Sequence, residues 1–273
     1  MDRTTERAYA KLNLTLGVLY KRADGYHALD SIMQTIDLCD TVTIERARDI
    51  VVTSTGMTLP YDNTLRRAAE AYRALTGRGA QIRVVKRIPA EAGLGGGSAD
   101  AAAALNGLQK IYGEVDGPTL IEIGAKVGAD VPFCLRGGTQ RAEGIGEVLT
   151  PVRGMKLFFI VAKPAEGVST KKLFSLLKLP REMPDTSGAL KALAEDNLSA
   201  LCPLLYNALE RPAAELVPQI RRVKERLLSA GALAACMSGS GSAVFGIFPD
   251  RAAAEQALPS LEDLPFARVC ESV

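Results

Sequence analysis

The sequence predicts an α+β fold, and three observations carry that expectation. Strand-like and helix-like stretches both recur along the 273 residues, but not in the strict strand–helix–strand alternation of a doubly wound sheet. From Ala10 the residues alternate, with Leu12, Leu14, Leu16 and Val18 on one face and Lys11, Asn13, Thr15 and Gly17 on the other. Period two marks a strand with one buried face. A glycine-rich loop then leads into Asp100-Ala-Ala-Ala-Ala-Leu105, whose alanines favour helix.

The other elements follow in order. The turn pair Asp24-Gly25 ends the first strand, and strands are expected over 31–38, 41–45, 50–53 and 81–86. Before the last of these, Leu65, Ala68, Ala69, Tyr72 and Leu75 recur at helical spacing, with Asn63 as cap and Gly77 as stop. A helix from Pro118, a residue suited to a first turn, reaches 127. Short strands are expected at 133–135 and 139–142. A subdomain seam near 151–154 precedes a buried strand at 156–162. Helices over 170–177, 187–194 and 212–229 come next. Strands at 234–237 and 243–248 flank Ser238-Gly-Ser-Gly-Ser242, before a helix at 251–257 and a last strand at 267–270.

Hydrophobic residues make up 47% and charged residues 23%, which argues for a globular chain. Lys+Arg 33 against Asp+Glu 31 leaves a net charge of +2, too even for nucleic acid or an anionic membrane as the main partner. The charged start has no apolar stretch behind it, and no run approaches the ~18 apolar residues of a membrane span, so a cytoplasmic protein is expected. The five cysteines are scattered without a Cys-x-x-Cys pair, as expected of reduced thiols in the cytosol, and one histidine excludes a His-rich metal centre.

Four stretches carry chemistry. Gly93-Leu-Gly-Gly-Gly-Ser98 lies between a strand and a helix, where it is either a tight turn or a cradle for a polyphosphate. At Gly96, mid-loop, a β-carbon would either push the backbone from the phosphates or be strained by a positive φ. No lysine follows the glycines, which excludes a Walker loop. Serine at position 98 and the missing second strand weaken a dinucleotide fingerprint. The second glycine cluster, Met237-Ser-Gly-Ser-Gly-Ser242, reads as a hairpin loop or a ligand loop, and it does not match a nucleophile elbow. Asp130 is either a helix-terminal turn residue or a carboxylate that orients or deprotonates a hydroxyl. Lys11, on a polar strand face, is ordinarily a solvated residue.

In their order, Lys11-Leu-Asn-Leu14, Pro89-x-x-x-Gly-Leu-Gly-Gly-Gly-Ser98 and Met237-Ser-Gly-Ser-Gly241 resemble the three motifs of the GHMP kinases. Asp24-Gly-Tyr-His27, Met33-Gln-Thr-Ile-Asp-Leu38 and Gly128-Ala-Asp-Val-Pro-Phe-Cys134 narrow the resemblance to the branch that acts on diphosphocytidyl-methylerythritol. The resemblance runs almost the length of the chain. It departs at Ser242-Ala243, where the family usually has Pro or Ala followed by Thr, and no motif aligns over 177–196.

The resemblance implies a two-subdomain fold, 1–153 for ATP binding and 154–273 C-terminal, with the active site in the cleft between subdomains. It implies phosphorylation of the 2-hydroxyl of the substrate in the non-mevalonate route to isoprenoids, with ATP and Mg²⁺ and with no residue named for the metal. By the same resemblance Asp130 is the base or hydroxyl orienter and Lys11 stabilises charge at the transferring group. Pro89, Ala90, Glu91, Ala92, Gly93, Leu94, Gly95, Gly96, Gly97, Ser98 and Ala99 hold the ATP phosphates. Asn13, Tyr26 and His27 bind a small molecule carrying a cytidine diphosphate group, and Phe174 joins Tyr26 in sandwiching the cytosine.

Overall fold

The computed structural model describes residues 1–177 and 183–273, and the fold is α+β. In chain order the elements are β1 (Arg3–Lys21), β2 (His27–Ala47), β3 (Val51–Thr55), α1 (Thr64–Thr76), β4 (Gly79–Val85), α2 (Gly96–Tyr112), α3 (Gly117–Val127) and α4 (Val131–Arg136). There follow β5 (Thr139–Gly144), β6 (Val148–Pro151), β7 (Phe158–Lys163), α5 (Thr170–Leu176), α6 (Thr186–Ala194), α7 (Leu198–Leu201), β8 (Tyr206–Asn207) and α8 (Glu210–Leu216). The chain ends with α9 (Gln219–Ser229), β9 (Ala234–Met237), β10 (Val244–Phe248), α10 (Arg251–Ala257) and β11 (Phe266–Glu271). Of the motif-free stretch 177–196, residues 178–182 lie outside the described residues.

The chain forms two compact units. Unit one holds Met1–Ala10, Leu38–Ile88 and Gly95–Gly137; unit two holds Lys11–Asp37, Pro89–Leu94 and Gly138–Val273. In unit one, β4 runs antiparallel to residues 41–47 of β2 and parallel to β3. Asn63 caps α1 by accepting from the Arg66 amide, and Gly77 closes it at φ 73°, as the spacing predicts. The buried face of α1 is Leu65, Ala68, Ala69 and Tyr72, and this face packs on α2. A β-carbon at Gly107 of α2 would lie 2.4 Å from Ile44 Cδ1, so the missing side chain lets α2 seat closely on β2. Each large apolar side chain buried there contributes about 1.5–3 kcal/mol.

Unit two is built on an antiparallel sheet in the order β11-β7-β10-β9. Its core joins Leu16 and Val18 to Ile160, Leu173, Leu209, Ile220, Val223 and Phe248. β5 pairs with residues 29–34 of β2, and β8 runs parallel to β1 with Leu16 opposite Asn207.

Several expectations change. The two strands expected at 31–38 and 41–45 are one strand, β2, because the break at Cys39-Asp40 is a change in side-chain polarity and not in backbone direction. The strand expected at 133–135 is the helix α4, with Pro132 in its first turn and the Cys134 amide bonded to Asp130 O at 3.1 Å. A short apolar run has no period long enough to separate the two states. The helix expected over 212–229 is split into α8 and α9 at Val217-Pro218, where proline cannot donate to the helical ladder. Along β1 both faces are buried between Ala10 and Val18, the polar one included.

Candidate active site

The polar face of β1 supplies the first part of the site in unit two. Lys11 and Asn13 are each only 4% exposed, so the lysine is not a solvated surface residue. Its ammonium donates to Asn13 Oδ1 at 2.7 Å, Asn13 Nδ2 donates to Ser31 Oγ at 2.8 Å, and Ser31 Oγ donates to Thr15 O at 2.5 Å. This chain of bonds fixes the direction of the ammonium. The Lys11 amide also donates to Leu94 O at 3.0 Å, which seats the strand against the glycine loop.

That loop is closed by the late serine–glycine cluster. Ser238 Oγ donates to Gly93 O at 3.0 Å, and the amides of Ser242 and Ala243 donate to the carbonyls of Glu91 and Ala92, both at 3.1 Å. Gly93 has φ 72°, and a β-carbon there would lie 2.0 Å from Ser238 O, so only glycine fits. A β-carbon on Gly239 would lie 3.1 Å from Lys11 Nζ. Lys11, residues 89–94 and residues 237–243 therefore meet, although the sequence separates them widely.

Two residues outside every sequence motif hold this arrangement. Asn207 Nδ2 donates to Met237 O at 2.7 Å and Gly239 O at 2.8 Å, while its Oδ1 accepts from the Leu209 amide. Glu210 Oε2 accepts from the Met237 amide at 2.8 Å. An asparagine after Tyr206 and a glutamate opening a helix carry no signal in one sequence. Their role comes from the pairing of β8 with β1 and from the position of β9.

Elsewhere in unit two, Tyr26 stands 61% exposed after the Asp24-Gly25 turn, its amide bonded to Asp24 Oδ1 at 3.1 Å. The Phe174 ring on α5 stands 5.1 Å from the ring of His27. Burial, with a lesser contribution from Lys21, lowers the His27 pKa, which favours the neutral imidazole.

Unit one carries the rest of the glycine loop, Gly95 to Ala99, and Asp130. Gly95 takes φ 70° at the N-cap of α2, and α2 begins at Gly96, earlier than expected. Left-handed backbone falls at Glu91, Gly93 and Gly95 and not at Gly96, where a β-carbon would instead press on Ile88 Cγ2 at 3.0 Å. The first-turn amides of such a helix have no partner within it and sit at its positive end, which suits an anion. A β-carbon on Gly128 would lie 3.7 Å from Ser98 Oγ, so the turn leading to Asp130 runs beside the loop's serine. Asp130 occupies the N-cap position of α4, but its side chain makes no capping bond.

The family description "GHMP kinases N terminal domain" matches residues 63–138, and "GHMP kinases C terminal" matches residues 189–264. This fold and its glycine loops are those of a GHMP kinase. The chain is 47% identical over 249 residues to the 4-diphosphocytidyl-2-C-methyl-D-erythritol kinase of Carboxydothermus hydrogenoformans, covering 88% of this chain and 86% of that one. A crystal structure of 4-(cytidine 5'-diphospho)-2C-methyl-D-erythritol kinase superposes with a TM-score of 0.85 at 35% identity, covering 98% of this chain and 99% of the other. The chain belongs to the 4-diphosphocytidyl-2-C-methyl-D-erythritol kinase family. Homoserine kinase from Cytophaga hutchinsonii shares the fold at TM-score 0.78 and 21% identity, covering 100% of this chain and 95% of its own.

Asn207→Ala leaves two buried carbonyls without their donor, a loss of about 1–3 kcal/mol. Urea denaturation should show that loss, and kcat should fall because Met237–Gly239 no longer backs Lys11. Wild-type stability together with wild-type kcat would remove Asn207 from this role.

Proposed function

We propose that this chain transfers the γ-phosphoryl group of ATP to the 2-hydroxyl of 4-diphosphocytidyl-2-C-methyl-D-erythritol, as a cytoplasmic enzyme of the non-mevalonate route to isoprenoid precursors. The kinase activity follows from the family. The observation that carries the reading is the buried Lys11, its ammonium aimed by Asn13 and its backbone amide bonded to Leu94 O of the glycine loop. Phosphoryl transfer needs positioning and charge neutralisation more than covalent chemistry.

In this reading residues 89–99 hold the ATP phosphates. Asp130 orients the hydroxyl or takes its proton, the hydroxyl oxygen bonds to the γ-phosphorus, and the bond from that phosphorus to ADP breaks. Lys11 neutralises the charge that develops on the transferring group. Among the described residues no three His, Cys, Asp or Glu side chains converge as a metal cage. That suits Mg²⁺, which ordinarily keeps water and substrate phosphates as ligands and would arrive with the nucleotide. When bound it would neutralise phosphate charge. Asn13, Tyr26, His27 and Phe174 take the cytidine diphosphate end. A neutral His27 has one donor and one acceptor nitrogen for the base edge.

A coupled ADP-release assay tests the reaction. Turnover with diphosphocytidyl-methylerythritol should far exceed that with mevalonate, homoserine or galactose, and comparable turnover of any of the three would sink the proposal. Asp130→Asn and Lys11→Met should each lower kcat by roughly 10²–10⁴ with KM little changed. More than about a tenth of the activity left in Asp130→Asn would show that this carboxylate is not the base.

For the cytosine clamp, Tyr26→Ala and Phe174→Ala should each raise the substrate Kd by ~5–100-fold, the worth of stacking one base on a ring. The double variant should fall short of the product of the two effects, because each ring's stacking depends on the other. Wild-type binding by Phe174→Ala alone would leave Tyr26 and His27 as the recognition pair.

A further inference from the structure

Unit one buries one ammonium between two carboxylates beside the glycine loop. Lys86, the residue after β4, donates to Asp40 Oδ2, and to Asp100 Oδ2 at 2.6 Å. The three side chains are 6%, 0% and 2% exposed, so water does not screen them. Asp40 Oδ1 also accepts from the amides of Arg87 and Ile88, the latter at 2.8 Å. The cluster thus pins the chain entering the loop, while Asp100 stands one turn inside α2, on the chain leaving it. Lys86 Nζ lies 3.6 Å from where a β-carbon on Gly96 would stand, so the cluster abuts the loop backbone.

The charges do not balance. With both aspartates ionised the cluster carries −1, and it lies beside a loop read as holding a polyanion. Asp40 has donors on both oxygens, whereas Asp100 Oδ1 is buried with no hydrogen-bond partner among the described residues. A carboxylate oxygen in that position is stabilised by a proton, which restores neutrality and supplies a donor toward Asp40. Burial first, with Asp40 acting in the same direction and against the pull of Lys86, pushes the Asp100 carboxyl up to about 7. Among the described residues, Lys86 and Asp40 are the charged groups that act on it, and none comes from α1, α3 or α4, the other helices packed against α2.

We propose that Asp100 is a positioning residue for the nucleotide loop which takes up a proton when a nucleoside triphosphate binds, so that ATP affinity is linked to pH through this side chain. The inference rests on the reading of residues 89–99 as the ATP loop. A bound polyphosphate favours the neutral cluster, so affinity rises as pH falls through the Asp100 transition. In the free protein the same raised value means that the stability this group contributes is full below the ordinary aspartate value of 3.8 and lost as pH rises through about 7.

Calorimetry with MgATP in two buffers of different ionisation enthalpy, at about pH 7.5, counts the protons taken up on binding. The wild type should take up a substantial fraction of one proton, and its Kd should rise by roughly three- to tenfold between about pH 6.5 and 8.5. Asp100→Asn keeps the shape but cannot ionise, so its uptake should be near zero and its Kd nearly flat. The nucleotide's own ionisation is common to both proteins, and a merely structural Asp100 would lower stability without changing the pH profile. Tight MgATP binding by the wild type without proton uptake would overturn the inference, as would the same uptake in Asp100→Asn. Should the wild type fail to bind MgATP at any pH, the loop assignment itself falls, and the inference with it.

Discussion

A lysine ammonium taken out of water loses several kcal/mol of hydration, so it is kept inside a protein only where partners replace the water. At Lys11 the replacement begins with Asn13, continues through Ser31 and ends on a backbone carbonyl of the same strand. Each bond in that series has a direction, so the last one aims the first. The result is a positive charge held in a low-dielectric setting, where it attracts an anion more strongly than it would at the surface.

Around that charge the chain is closed by backbone and not by side chains. The glycine loop and the serine–glycine loop bond amide to carbonyl, at separations a β-carbon on Gly93 would forbid. Asn207 and Glu210 then occupy the polar groups of Met237 and Gly239 that the loop leaves over. In unit one the corresponding task falls to a buried Lys86 with two aspartates, which holds together the chain on either side of the loop. Both halves of the loop are therefore anchored by buried polar groups, whose desolvation makes any loss of a partner costly.

Much of the fold was legible wherever a pattern was long or a stop signal sharp. The apolar spacing and caps of α1, the alternation in β1 and the serine–glycine loop between β9 and β10 are set by neighbours within a few residues. Legibility failed at α4, where six residues show no period, and at Pro218, where a break hid inside an apolar pattern. It failed also at the polar face of β1, because alternation tells that two faces differ and not that one is open to solvent.

The sequence by itself determined the glycine loops, the ordered motifs that mark a GHMP kinase, and the residue types available for phosphoryl transfer, since all of these are local strings. Tertiary structure alone decided that Lys11 is buried, that residues 89–94 and 237–243 bond to each other, that Asn207 and Glu210 bond to the backbone of 237–239, and that Asp40 and Asp100 share the Lys86 ammonium. Those facts depend on hydrogen bonds and burial between residues far apart in the chain. A linear sequence carries no record of a contact until strand pairing and helix packing have brought its two sides together.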